Sequence, residues 1–445
     1  MNFVFERIPT LDHGENFIDC PDYASPGIKR FSTCPFSSMM MRYARINEPF
    51  NNFDISKIKW STNPDDFDTY IISSGVNHHP LDWCGTDNFG VGYNDRHPDR
   101  KNLFEYINPR YLKDLQSGKA FLLLDQCHEG YQTPWLWEWF HNNCNEYKIN
   151  PKQIMYITGS MIVQEHYDNW FSGTAYKNKL FVAPYPKFES IICSSVITKR
   201  VIVPRAIDHI NYKTANLGEI KTYNALQKRP RAHRMWLFNE LLKNNLLEDG
   251  INSMNTLIHN HTYYEGKVMD ISEWENAMKH LPMLPPYVAN TSEEIAIFEN
   301  QDSGRYQLTF NEQIMLDSFV SVISEASHGD QEGTCFISEK TFKPIACNHP
   351  FIIFGNKGSL AALRSLGYKT FHPYIDETYD TLNTWDRLDA VVKALESIYK
   401  MSPDEKLQWF NNLKPILDHN FKMLVSSNGR APITTLMIDQ YLKEN

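Results

Sequence analysis

The residues best suited to chemistry in this 445-residue chain lie in one short segment, FISEKTFKPIAC at 336–347. Glu339 and Lys340 place a carboxylate beside an ammonium where a helix is expected to begin, directly after Ser338. The carboxylate can accept two hydroxyl hydrogens of a ribose, and the ammonium sets a positive charge against a phosphate. The N–H groups of a helix start attract anions, and Phe336 offers a ring to a base. The segment therefore predicts a site for a nucleoside diphosphate.

A second segment, QKRPRAHR at 227–234, concentrates positive charge between a predicted strand and a predicted helix. A departing diphosphate carries negative charge that has to be compensated, and an arginine does this with a rigid, two-pronged guanidinium. Arg234, on the first turn of the helix, is the preferred residue, followed by Arg231 and Arg229. A solvated basic turn and a contact with nucleic acid are the alternative interpretations.

The order of these segments resembles a known nucleotide-binding signature. Ser324-Glu325 ends a predicted strand, FISEK follows after a loop, and HPFIIFG at 349–355 forms the next strand. This arrangement resembles that of the fucosyltransferase-like and exostosin-like glycosyltransferases over residues 220–425. The resemblance implies Glu339 at the donor ribose, Lys340 at the diphosphate and an arginine of the basic segment at the leaving group. It also implies transfer of a sugar from a nucleotide donor, such as a UDP- or GDP-sugar, to a hydroxyl.

An enzyme that inverts at the sugar carbon needs a general base within reach of the acceptor hydroxyl, near the end of a strand. In LLLDQCHEGY, Asp125 and Glu129 follow an apolar run, with His128 between them. The pair His78-His79 follows an earlier strand. A capping or surface role is the alternative for each of these residues. Glu325 is a further acidic candidate for contact with a sugar.

The chain alternates between predicted strands and helices on both sides of residue 210, which implies parallel βαβ units. The predicted fold class is α/β, of the GT-B type, with two Rossmann-like domains facing a central cleft. We expect an acceptor-binding domain at 1–210, a nucleotide-sugar-binding domain at 211–425 and a last helix, 426–445, that packs back on the first domain. Two finer expectations are a helix C-cap at Gly250 and a strand at Tyr368–Phe371. The predicted strands are Tyr70–Ser74, Ala120–Leu124, Ile154–Thr158, Tyr223–Leu226, Phe319–Ile323 and Phe351–Phe354.

The amino-acid composition excludes several classes of protein. With 42% hydrophobic and 22% charged residues the chain is that of a globular protein, and its net charge of -9 counts against a general polyanion binder. No signal peptide and no run of about 20 apolar residues is visible, so we expect a cytoplasmic bacterial or viral enzyme. None of the eight cysteines forms a C-x-x-C pair, which favours reduced thiols and no zinc site. No metal and no cofactor besides the nucleotide sugar is expected.

The sequence leaves two classes of acceptor possible. One is a glycan or a lipid-linked sugar, and the other is a hydroxymethylated base of phage DNA. The acidic net charge favours the glycan, because DNA binding relies on excess Lys and Arg. A non-catalytic module that binds nucleotide sugars or nucleic acid with the same fold is the alternative to an enzyme.

Overall fold

The computed structural model describes residues 1–6, 59–61, 63–74, 104, 109–127, 130, 134–197, 208–227, 231–254, 263–283, 312–329, 333–426 and 431–445. The chain forms two compact units. Unit 1 consists of Met1–Lys187, Glu332–Thr334 and Arg430–Asn445, and unit 2 of Phe188–Gln331 and Cys335–Gly429. Unit 2 begins at Phe188, where Phe188 contacts Phe336 and Glu189 accepts a hydrogen bond from Tyr368. The functional domains predicted at 1–210 and 211–425 stay a prediction.

Unit 1 is built on a parallel six-stranded sheet with the strand order β2-β1-β3-β4-β5-β6. Its strands are β1 (Asn2–Glu6), β2 (Lys59–Ser61), β3 (Tyr70–Ser74), β4 (Ala120–Gln126), β5 (Ile154–Thr158) and β6 (Phe181–Pro184). Helices α1 (Pro109–Ser117), α2 (Pro134–Glu146) and α3 (Val163–Ser172) connect them. Residues 121–124 of β4 are all buried, as expected for a parallel strand that is covered on both faces.

Unit 2 contains a parallel four-stranded sheet with the order β12-β11-β7-β8 and a separate antiparallel hairpin, β9-β10. The strands are β7 (Lys221–Leu226), β8 (Gly250–Ser253), β9 (Tyr263–Tyr264), β10 (Lys267–Val268), β11 (Ser318–Gly329) and β12 (Phe351–Asn356). The helices are α4 (Lys187–Ile197), α5 (His209–Ala215), α6 (Ala232–Lys243), α7 (Ile271–Met278), α8 (Glu312–Leu316), α9 (Glu339–Ala346), α10 (Ser359–Ser365), α11 (Thr384–Tyr399) and α12 (Pro403–Ser426). Helix α13 (Ala431–Glu444) lies in unit 1, where Thr434 and Tyr441 donate hydrogen bonds to backbone carbonyls.

The connections of the second sheet diverge between two neighbouring strands. β7 leads through α6 to β8 on one side, while β11 leads through α9 to β12 on the other, and β7 and β11 pair directly. In open parallel sheets, a crevice for ligands forms beyond the carboxyl ends of the strands at such a point. The topology of unit 2 therefore predicts a ligand site at the first turns of α6 and α9.

The predicted α/β class with two Rossmann-like domains is confirmed. The strands predicted at Tyr70–Ser74 and Ile154–Thr158 have those bounds, and the other predicted strands are present with one or more extra residues. Helix α1 has Pro109 at its start and Gly118 at φ 80° after its end. Proline suits a first helical position because the N–H that it lacks has no partner within the helix.

Two local predictions are wrong. Gly250 begins β8 and does not cap α6, which ends at Lys243. A glycine is required there because a Cβ atom would collide with the ring of Tyr223. Residues 368–371 form no strand, since side chains satisfy their backbone groups. Asn420 accepts from the N–H of Lys369 and donates to its carbonyl, both at 2.8 Å.

Two further findings concern predictions about location and thiols. Within the described ranges, no helix combines the length and the apolar composition that crossing a bilayer requires. The cysteines within those ranges are all buried thiols: Cys127, Cys144, Cys193, Cys335 and Cys347.

Candidate nucleotide-binding site

The carboxyl end of β11 is irregular. β11 pairs with β12 in register from Ser321 to Ser324, and pairing resumes only at Gly329, with a shift between them. A bulge of this kind bends the strand and redirects side chains, and bulges are frequent beside functional sites. Here it turns the fully buried carboxylate of Glu325 toward the segment before α9, where it accepts from the N–H of Ser338 (3.1 Å) and from Oγ1 of Thr341 (2.6 Å).

Ser338 is the residue that caps the start of α9. Its hydroxyl donates to the carboxylate of Glu325 and accepts from the N–H of Lys340 at 3.3 Å. A serine in this position satisfies one of the helix-start amides that lack an internal partner. Glu325 is a buried acceptor that joins α9 to the end of β11, and its predicted contact with a sugar stays a prediction. These contacts fix the segment that carries the residues that follow.

Glu339 and Lys340 form the predicted acid–amine pair on the first turn of α9. Nζ of Lys340 lies 2.7 Å from Oε1 of Glu339, and 28% of the Lys340 side chain is exposed against 11% of that of Glu339. Burial acts to raise the pKa of Glu339, but the ammonium groups of Lys340 and Lys343 outweigh it and leave the pKa below its ordinary value. The pair is therefore a stable carboxylate beside a more accessible ammonium.

Lys343 adds a second ammonium that the sequence analysis missed. It lies four residues after Glu339, on the same face of α9, and burial lowers its pKa to about 8 although Glu339 acts in the opposite direction. The i, i+4 spacing of Glu339 and Lys343 is the signal that would have identified it.

Phe336 and its backbone belong to the packing of unit 2. Only 3% of the residue is exposed, its ring meets that of Phe188 edge-on at 5.8 Å, and its N–H donates to Oδ1 of Asn356 at 3.2 Å. These contacts fix the segment ahead of α9. The predicted contact of this ring with a base stays a prediction.

The first turn of α6 approaches the same strand end from the other side of the divergence point. Arg231 donates from Nη1 to the carbonyl of Ala326 at 2.8 Å, and His233 lies 3.0 Å from the carbonyl of Glu325. Arg234 donates from Nη2 to the carbonyl of Ser324 at 3.4 Å. His233 and Arg234 are buried, whereas Arg231 is exposed. Three side chains of one helical turn thus bind three successive carbonyls of the bulged strand.

The structure brings most of the predicted donor-site residues to one strand end. Those gathered there are Arg231, Arg234, Glu325, Phe336, Ser338, Glu339 and Lys340. Asp125 lies in β4 of unit 1, where it pairs with Ile157 of β5. The remaining candidates, Arg229, His78, His79, His128 and Glu129, lie outside the described residues.

No protein-family model matches this chain, and no curated protein sequence matches it significantly. Solved structures do match. One is an alpha,alpha-trehalose 6-phosphate synthase from Burkholderia multivorans, with 12% identity and a TM-score of 0.37, covering 92% of this chain and 76% of that chain. Another is the N-terminal domain of a trehalose-6-phosphate phosphatase from Candida albicans (11%, TM-score 0.39, covering 92% and 73%). A third is a trehalose-6-phosphate structure from E. coli bound with UDP-2-fluoro glucose (10%, TM-score 0.35, covering 82% and 74%). At these identities and TM-scores, the matches identify neither a family nor a function for this chain.

Proposed function

We propose that this protein is a glycosyltransferase of the GT-B type, which moves a sugar from a nucleotide-sugar donor to a hydroxyl and holds the donor on unit 2. One observation supports this most directly. At the divergence point of a parallel sheet, the acid–amine pair Glu339–Lys340 and the exposed Arg231 lie on two helix starts that both bind the end of β11. The start of α6 binds the carbonyls of residues 324–326, and the start of α9 binds the carboxylate of Glu325.

The charge of each of these side chains indicates which part of the nucleotide sugar it binds. The carboxylate of Glu339 accepts hydroxyl hydrogens of the ribose, and the ammonium groups of Lys340 and Lys343 attract the diphosphate. As the bond between the sugar carbon and the diphosphate breaks, Arg231 compensates the charge of the leaving group. Arg234, predicted from the sequence for this role, is buried and holds the turn that carries Arg231.

The assignments for the acceptor and for the general base are based on the sequence alone. The acceptor oxygen bonds to the sugar carbon and gives its proton to a base, for which Asp125 and Glu129 remain the candidates. A glycan or lipid-linked sugar is the preferred acceptor over a hydroxymethylated DNA base, because the net charge of -9 opposes DNA binding. The cytoplasm, where nucleotide sugars are available, is the proposed location.

Thermal unfolding in the presence of UDP, GDP and their sugar conjugates tests the proposal. A ligand that binds only the folded state stabilises it, by about 2.7 kcal/mol at a hundredfold excess over Kd. We expect at least one nucleotide to raise the melting temperature of the wild type and to have no effect on Glu339→Ala. Asp404→Ala, which removes an acid from the first turn of α12, is the matched control and should respond like the wild type.

Slow hydrolysis of the donor separates an enzyme from a binding module. A competent transferase should release free nucleoside diphosphate without an acceptor, and Lys340→Ala should abolish this release. A protein that binds the nucleotide sugar tightly but releases nothing, with or without any acceptor, would contradict catalysis. Failure of every nucleotide to change the melting temperature would contradict the site itself.

A further inference from the structure

The hairpin β9-β10 turns through a pair of residues that both have positive φ. Glu265 has φ 42° and Gly266 φ 80°, the backbone signs of a tight two-residue hairpin turn. Glycine, asparagine and aspartate dominate such turns, and a glutamate in the left-handed region is uncommon. Backbone strain of this kind persists only where the surrounding structure holds it, and it is frequent at functional sites.

A tryptophan holds this turn in place. Nε1 of Trp385, on α11, donates to the carbonyl of Glu265 at 3.0 Å. Nζ of Lys267 lies 4.2 Å from the centroid of the Trp385 ring system, and the ring of Trp236 meets it edge-on at 4.7 Å. Trp236 belongs to α6, the helix whose first turn carries Arg231. The hairpin is therefore fixed to the same helix that supplies the cationic turn of the site.

The side chain of Glu265 reaches the carboxyl end of β11. The last residue of that strand is Gly329, with φ 90°, and a Cβ atom on it would collide with Oε1 of Glu265. The carboxylate thus lies where a side chain at position 329 would begin. Glu265 itself is exposed, so the charge stands at the rim of the same strand end that Arg231 and Lys340 approach.

The sign of this charge limits what it can contact in a nucleotide sugar. A carboxylate repels a diphosphate and accepts from hydroxyl or N–H groups, which the base, the ribose and the transferred sugar provide. A contact with the base would also change the affinity for the nucleoside diphosphate. Glu339 already accounts for the ribose in the proposed function. We propose that Glu265 accepts hydrogen bonds from hydroxyl groups of the transferred sugar and so helps to determine which sugar is used. This inference rests on the proposed function.

The experiment compares nucleotides with and without the sugar. Affinities for UDP, GDP, UDP-glucose, UDP-N-acetylglucosamine, GDP-mannose and GDP-fucose are measured by calorimetry for the wild type and Glu265→Gln. We expect the substitution to weaken the preferred nucleotide sugar about tenfold, because a charge-assisted hydrogen bond becomes a neutral one. The affinity for the matching nucleoside diphosphate should not change. Glu275→Gln, an exposed glutamate on α7, is the matched control and should change neither.

A second variant tests position and not charge. Glu265→Asp retains the negative charge but withdraws the carboxylate by one methylene group, so it should produce the same selective loss. Equal weakening of nucleotide and nucleotide sugar by Glu265→Gln, or no weakening of either, would overturn the inference and leave the proposed function standing. A wild type that binds none of the six ligands would overturn both.

Discussion

The carboxyl ends of β11 and β12 are neighbours in unit 2, yet their charged groups are arranged in different ways. At the end of β12, Arg387 is 1% exposed and donates to the carbonyls of Gly355 and Leu382, both at 2.7 Å. The start of α10, which follows, receives the buried carboxylate of Asp380. That carboxylate accepts from the N–H groups of Leu360 (2.8 Å) and Ala361 (3.0 Å). Both charged groups thus bind backbone groups in the interior of unit 2.

At the end of β11, the buried charges support exposed ones. The carboxylate of Glu325 fixes Ser338, and the guanidinium of Arg234 binds the strand, while Arg231 and Lys340 extend from these supports toward the surface. The comparison teaches that a helix start beside a strand end is not by itself an anion site. At α10 an internal carboxylate accepts from two amides of the first turn, whereas at α9 the internal carboxylate binds the capping serine and cations stand beside the first turn.

The largest expected effect comes from removing the exposed charge at the β11 end. Arg231→Ala should lower the rate of donor turnover about 10²–10³-fold, because a donor that stabilises developing charge is worth several kcal/mol in the transition state. Unfolding in denaturant should change little, since the residue is exposed. Turnover of the preferred nucleotide sugar at saturation gives the measurement.

Arg364→Ala is the matched control at the other strand end. Arg364 is also exposed, on α10, and its guanidinium lies 3.3 Å from Glu377 and 3.7 Å from Asp380. Its loss should leave turnover unchanged. If both arginine variants lost activity to the same degree, the distinction between the two strand ends would be wrong.

The start of α9 was predictable because its signals are local. Ser338 is a strong N-cap residue, Glu339 and Lys340 follow it directly, and the apolar run 351–354 identifies the next strand. The carboxylates that bind at the two helix starts come from other parts of the chain. Glu325 is 13 residues from Ser338, and Asp380 lies 20 residues after Leu360. Only the packed sheet brings these side chains to the helix starts.

The errors in the sequence analysis have the same physical origin. Gly250 is suited to a helix end, but the close approach of Tyr223 from the neighbouring strand is what requires a glycine there. Residues 368–371 have the composition of a strand, yet Asn420 of α12 satisfies the backbone of Lys369. Glu265 stands in a two-residue turn between strands of two residues each, which are too short to produce a pattern.

A second, smaller effect is expected at the β12 end and concerns stability. Asp380→Ala removes the carboxylate that caps α10 and leaves the amides of Leu360 and Ala361 without it. The free energy of unfolding should fall by about 1–3 kcal/mol, as measured by chemical denaturation. The affinity for nucleoside diphosphate should stay at the wild-type value, whereas Lys340→Ala should weaken it, because Lys340 is proposed to attract the diphosphate.

Asp376→Ala provides the control for this prediction. Its carboxylate also accepts a backbone N–H, that of Thr378 at 3.0 Å, but in an exposed turn. The loss of stability should therefore be clearly smaller than for Asp380→Ala. If Asp380→Ala weakened nucleotide binding instead, the start of α10 would belong to the ligand site.

The smallest expected effect is a dependence of nucleotide affinity on pH that arises on α9 alone. Burial lowers the pKa of Lys343 to about 8, so its ammonium is present below that pH and is lost as the pH rises through it. Above pH 7.5 the phosphates of the ligand are already fully ionised, because their second pKa is about 6. Affinity for the nucleoside diphosphate should therefore fall by about fivefold between pH 7.5 and 9.5, the equivalent of ~1 kcal/mol for one nearby charge. Lys343→Arg keeps its charge over this range and should remove the decline. An equal decline in wild type and Lys343→Arg would show that another group titrates and that Lys343 lies away from the phosphates.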